Sequence, residues 1–292
     1  MAKIFGVNTK IRGKVGEYIY RQTKVGTVVS EAPVKPVTPR RSQQQMNIRT
    51  QWANLGAIYK QFDSMLRRGF EELPPHMSVY NAFIQANLGV VKVYITKTMR
   101  LNGGSILAPY QITRGSLPSI SMAKNASNIL VSSVRLGTLS ITATTTVAQF
   151  SQAVIDNNTS FLEGDQLTFF HGRQTIDTVT RTPRATITGY KVVLNTADDT
   201  PLWNVVERIG FSVADNCLAT SEQITNGAAV WVHSRETADN ALKVSTQFFF
   251  VENSALATYQ SNSAILASVN SYGGINSAAV YLQPDLNATV TP

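Results

Sequence analysis

The chain has one cysteine, Cys217, in 292 residues. A lone thiol closes no internal disulfide, and a Cys-based zinc site needs more than one. The three histidines, His76, His171 and His233, lie far apart and form no metal-spacing motif. Charged residues make up 15 %, against a usual ~25 %, which excludes a wholly disordered or coiled-coil chain. No apolar run reaches the roughly 18 residues of a membrane span, and Met1 to Asn8 lacks the apolar stretch of a signal peptide. Synthesis in a cytosol is therefore expected, and the Asn-x-Ser/Thr triplets at Asn125, Asn158 and Asn287 are read as chance.

Motifs of catalysis are missing too. Gly103-Gly104-Ser105 and Gly273-Gly274 lack the further glycines and the Lys of a phosphate loop. There is no Gly-x-Ser-x-Gly elbow. The neighbouring carboxylates Glu71-Glu72 and Asp198-Asp199 point apart on any regular element, so neither is an acid/base pair by itself. Cys217 is expected to be a buried small apolar residue, and His171 and His233 to be polar residues at strand ends. The expectation is a protein that is not an enzyme, with no metal and no cofactor.

What is present is an uneven charge. Residues 1–70 hold 13 Lys or Arg and 3 Asp or Glu, a net +10; residues 71–292 hold 13 and 15, a net −2. A basic head on a near-neutral body fits an anionic partner: nucleic acid or an acidic protein surface, with lipid the weakest fit. The partner-binding candidates are Lys3, Lys10, Arg12, Lys14, Arg21, Lys24, Lys35, Arg40 and Arg41.

Periodicity divides the chain into residues 1–41, 42–89 and 90–292. Residues 13–30 read as one β-hairpin: Val15, Glu17, Ile19 and Arg21 alternate with Gly16, Tyr18 and Tyr20, a turn falls at Lys24-Val25-Gly26, and Thr27-Val28-Val29 returns. Three prolines within 31–41 predict an extended arm. A helix is predicted over 42–72, capped by Ser42, with an apolar stripe of Trp52, Leu55, Ile58, Tyr59, Phe62, Met65, Leu66 and Phe70. That stripe is expected to be core, with Trp52 buried. A second helix, Val79 to Asn87, opens at Ser78 and stops at Gly89.

From Val90 onward the runs are β-type: Val90 to Ile95, Ile129 to Val134, Leu139 to Ala143, Leu167 to Phe170, Ala185 to Leu194, Val206 to Val213, Ala229 to His233 and Val244 to Val251. Antiparallel sandwich packing follows, in one body or two sub-domains, with a short helix inserted near 146–155. The Ser-, Ala- and Asn-rich tail from 253 offers one strand at Ala278 to Leu282 and a loose end from Asn287. The fold class is α+β.

Several short motifs resemble a known family. They are the Met-Ala-Lys-Ile start, the Gly13-Lys14-Val15-Gly16 hairpin, the basic Pro-rich stretch Pro36 to Arg41, Gln43-Gln44-Gln45 with Arg49, and Asn81-Ala82-Phe83. Trp231 to Ser234 and Val244 to Phe250 are similar to its final strands, while residues around 120–165 depart from it. The family, of uncharacterised function, occurs in Bacteroidales genomes and their phages and has an Ig-like β body. Within it the nearest likeness is to virion proteins of crAss-like phages. The resemblance implies a structural protein of a tailed bacteriophage virion. Its implied role is an auxiliary (decoration) protein bound to the major capsid protein lattice through the basic hairpin and arm, with self-association on the particle. The alternatives are a head fibre, tail-ring or portal-vertex component, or a non-specific nucleic-acid-binding protein packaged in the virion.

Overall fold

The computed structural model describes residues 2–4, 12–23, 26–32, 41–62 and 69–275. The chain is α+β, and every named strand pair in it is antiparallel.

The N-terminal strands are β1 (Ala2–Ile4), β2 (Gly13–Val15), β3 (Tyr18–Thr23) and β4 (Gly26–Glu31), in the order β1-β4-β3-β2. The expected hairpin is thus the centre of a four-stranded sheet. Its rising arm is not one strand. The chain reverses at Gly16-Glu17, where Gly16 has φ +60, as the first position of a type II′ turn requires. The apolar/polar alternation runs through this turn unbroken, so periodicity alone does not reveal it. The expected turn residues Lys24 and Val25, and the arm over 33–40, lie outside the described residues.

Helix α1 (Gln43–Phe62) starts at a reciprocal cap: Ser42 Oγ accepts from the Gln45 N–H at 3.3 Å, and Gln45 Oε1 accepts from the Ser42 N–H at 3.1 Å. Its buried row is Met46, Thr50, Asn54, Ile58 and Phe62, an i, i+4 ridge that includes two polar residues. Thr50 Oγ1 donates to the Met46 carbonyl, and Asn54 Oδ1 accepts from the Ile106 N–H at 2.8 Å while its Nδ2 donates to Tyr110 Oη. Because those polar side chains find partners, the core face is turned away from Trp52. That residue is 39 % exposed and not buried as expected. The predicted extension of the helix to 72 also fails: Phe70 bridges Arg114 outside any helix, and Met65 and Leu66 lie outside the described residues.

Helix α2 (Val79–Asn87) has Ser78 as its N-cap, accepting from the Asn81 N–H, and buries Ala82, Phe83 and Ile84. Val90 to Ile95 is not a strand but a connection that buries Val91, Val93, Tyr94 and Ile95 and exposes Val90 and Lys92; the Tyr94 N–H donates to the carbonyl of Tyr259. It leads into α3 (Lys97–Leu101).

Two sheets form the body. The first holds β6 (Met122–Lys124), β7 (Ile129–Arg135), β10 (Ser212–Ala214) and β11 (Cys217–Gln223), in the order β10-β11-β7-β6. The second holds β8 (Gln166–Ile176), β9 (Pro183–Val193), β12 (Gly227–Glu236) and β13 (Leu242–Val244), in the order β13-β12-β8-β9, with β15 (Phe250–Glu252) also on β12. A small pair joins β5 (Gln111–Thr113) to β14 (Gln247–Phe248). Leu130, Val134 and Leu218 of the first sheet share a core with Leu167, Phe169 and Trp231 of the second, closed by Phe150 and Val154 of α4 (Val147–Asn157). The far face of the second sheet, through Phe170, Ile187, Val230 and Val232, packs on α1 and α2. The result is sheet on sheet on helices, and β12 is apolar on both faces because both are covered.

Other expected runs are revised. Leu139 to Ala143 is loop, Val206 to Val213 begins as a 3-10 turn before β10, and Val244 to Val251 is divided among β13, β14 and β15. The inserted helix is α4, with a full Thr146/Gln149 capping box. The tail carries α5 (Leu256–Gln260) and α6 (Asn262–Ser271), where no helix was expected. Ala278 to Leu282 and the last residues lie outside the described chain.

Candidate interaction surface

Among the described elements, the most extensive contacts of β1 to β4 are with one another. Strand alternation sorts the sheet's residues between two faces. Register pairs Val15 with Tyr18, Tyr20 with Val29, and Gln22 with Thr27, whose side chains share a 2.8 Å hydrogen bond. These residues form an aromatic and apolar face on which Val15 is 56 % and Tyr18 49 % exposed, with Tyr20 and Val29 half-buried. Glu31, beside Tyr18, is the acidic group on this face.

The other face is basic. Arg21 pairs with Val28, and Val28 in turn with Lys3 on β1. Lys14 pairs with Ile19, and Ile19 with Ser30. Arg12, one residue before β2, extends that register to the position beside Arg21. Of the nine candidate cations, Arg12, Lys14 and Arg21 thus share one face. Arg12, Lys14 and Arg21 are exposed, and among the described residues no ion pair engages them. Like charges on facing strands repel, so this face is a poor surface without counter-charge.

The remaining candidates divide. Lys10, Lys24, Lys35 and Arg40 lie outside the described residues. Arg41 is half-buried and donates through Nη1 to the Tyr272 carbonyl at 3.5 Å, at the C-terminal end of α6, where carbonyls favour a cation. Val15, Tyr18 and Tyr20 were not among the candidates. Their signal was the same alternation that defines the strand, and a charge-based search passes over it.

The titratable groups of the body build a brace. His233 Nε2 lies 2.8 Å from Asp165 Oδ2, and both side chains are 1 % exposed. Arg235 donates through Nε to Oδ1 at 2.6 Å and through Nη2 to Oδ2 at 2.7 Å, and Nη2 also donates to the Ser160 carbonyl. The Leu162 N–H adds a further donor, and Phe161 stacks on the His233 ring. The carboxylate is saturated and the imidazole covered, so the cluster ties β12 to the loop before β8. His171 and His233 lie within β8 and β12 and not at strand ends as expected; His171 is half-buried, and burial and the neighbouring Arg173 hold its imidazole below the usual histidine range. Cys217 sits half-buried at the start of β11. Among the described residues no group of three or more His, Cys, Asp or Glu is placed to hold a metal ion. Among them, too, no helix is long and apolar enough to cross a membrane.

Two depressions flank the loop before α4. One, of about 220 Å³, is lined by Thr142, Trp203, Arg208, Phe211, Ser212 and Ser221 among others. The Trp203 indole N–H donates to the Thr142 carbonyl, and the Arg208 guanidinium lies 5.2 Å from a Trp203 ring centroid, so the protein's own side chain occupies that ring face. The other is a broad groove between residues 136–145 and α4, lined by hydroxyl and amide groups with Asp156.

Comparison with protein-family models, with curated proteins and with solved structures gives no match.

Proposed function

We propose that this chain is a non-enzymatic structural protein of a virion, an auxiliary protein of a tailed bacteriophage carried on the major capsid protein lattice. The reading rests on one observation: on the apolar face of the N-terminal sheet, Tyr18 and Val15 are about half exposed. A small sheet draws its stability from a covered apolar face, and at these two residues the cover is incomplete among the described residues. Interface cores are rich in aromatic side chains, as this face is. The net +10 of residues 1–70 draws the chain toward an anionic particle at long range. The body behind it, a sheet sandwich backed by helices, is suited to stand off a shell as a rigid module. The sequence likeness to crAss-like phage virion proteins points the same way.

Cryo-electron microscopy of intact particles tests this directly. Many copies on the shell lattice are expected. Copies at one vertex only would move the chain to the portal or tail, and absence from the particle would end the virion reading. A chain lacking residues 1–40 is expected to keep a folded body and lose the particle.

A further inference from the structure

The apolar face accounts for docking; the opposite face carries a separate consequence. We infer that the basic face of the N-terminal sheet binds the phosphate backbone of double-stranded nucleic acid, without regard to sequence. The inference stands on register and does not depend on where the apolar face docks.

Three features carry it. First, Arg12 and Arg21 fall side by side in register and Lys14 one step along, all three exposed, with Glu17 at the adjoining turn. Second, the cluster is compact. Arg12 and Arg21 lie on neighbouring strands ~4.8 Å apart with Lys14 two residues along, so one side of a duplex can meet all three cations. Two of its cations are arginines, whose planar fork grips phosphate by two hydrogen bonds.

Third, what lies between the cations decides among anions. Only Ile19, Val28 and Ser30 separate them, so the face has no aromatic to stack an unpaired base and few groups to read base edges. The tyrosines that would serve a single strand are on the reverse side. A protein interface would want an apolar, charge-poor centre, and that too is on the reverse side. Backbone contact to a duplex is the recognition left to this face.

The test uses the full chain and two unrelated 24-base-pair DNA duplexes, with fluorescence anisotropy read from 50 to 200 mM NaCl. Three phosphate contacts predict a log–log slope of about −2.7, a loss of about 40-fold in affinity across that range, alike for both duplexes. The triple variant Arg12→Gln, Lys14→Gln, Arg21→Gln should bring the slope close to zero. The charge-keeping variant Arg12→Lys, Lys14→Arg, Arg21→Lys should restore it, which separates charge from folding. Tyr18→Ser with Tyr20→Ser on the other face should leave the slope unchanged. No binding at 50 mM, or a slope untouched by the triple variant, overturns the inference. So does a triple variant that loses the particle while the parent chain ignores DNA, since the face would then take an acidic protein surface. The duplex measurement needs no particle, so its failure leaves the docking proposal standing.

Discussion

Asp165 shows how a side chain that looks ordinary in sequence becomes a keystone. His233 and Arg235 are two apart on β12 and so share a face, which the sequence displays. Their common partner lies far upstream, on a loop held by its own Leu162 N–H, and nothing local announces it. Burial pushes the Asp165 carboxyl up, but hydrogen bonds from Arg235, His233 and Leu162 outweigh it and hold the group at about 2. The folded value lies below the ordinary 3.8, so the network's contribution is complete above about pH 4 and is lost as pH falls toward 2. Asp165→Ala leaves the buried His233 imidazole without its hydrogen-bond partner and the Arg235 guanidinium without its counter-ion. It should cost about 3–5 kcal/mol by urea unfolding at pH 7. An Asp165→Asn chain should lose less stability between pH 4 and pH 2 than the parent. Equal acid profiles would assign the acid response to other carboxylates.

At the scale of elements, legibility followed locality. Ser78 and Thr146 cap their helices through hydrogen bonds reaching three residues on, and both helices were readable almost to the residue. Strands β8, β9 and β12 were readable as apolar runs, although β8 continues six residues beyond its predicted end. Val90 to Ile95 and Leu139 to Ala143 have strand-like composition but no strand partner, and pairing is decided elsewhere in the chain. Helix α1 was found while its face was misjudged, because Thr50 and Asn54 take core positions by satisfying their hydrogen bonds internally. Phe62 is fully buried, with the Phe170 ring at 5.6 Å and Phe249 at 5.7 Å. Trp52 keeps one hydrogen bond, to Tyr80 Oη at 2.8 Å, at the surface. Phe62→Ala should therefore cost about 3–5 kcal/mol and Trp52→Ala about 1 kcal/mol, read from denaturant midpoints. The reverse order would place the helix in the register its hydrophobicity first suggests.

For the whole molecule, the sequence showed a basic head and a neutral body, and the structure adds that the head is a sheet with two unlike faces. The nine candidate cations were legible as a cluster. That Arg12, Lys14 and Arg21 share one face was not, because the reversal at Gly16 resets which side each residue takes. The same separation gives the molecule two levels of stability. Strands β8 and β12 lie between two cores, and their amides should exchange with solvent only when the whole body unfolds. The sheet β1 to β4 makes its most extensive contacts within its own ladder and contributes no residue to either core, so its amides should open locally at far lower free energy. Hydrogen exchange read by mass spectrometry on the free chain should find β3 and β4 exchanging orders of magnitude faster than β12. In the particle-bound chain, protection should rise in β3 and β4 and stay level in the body, since a partner that covers the sheet stabilises only what it touches. Slow exchange of the sheet in the free chain would mean the body or a second copy already covers it. Docking would then begin with release of that cover, and particle binding would slow in proportion to its stability.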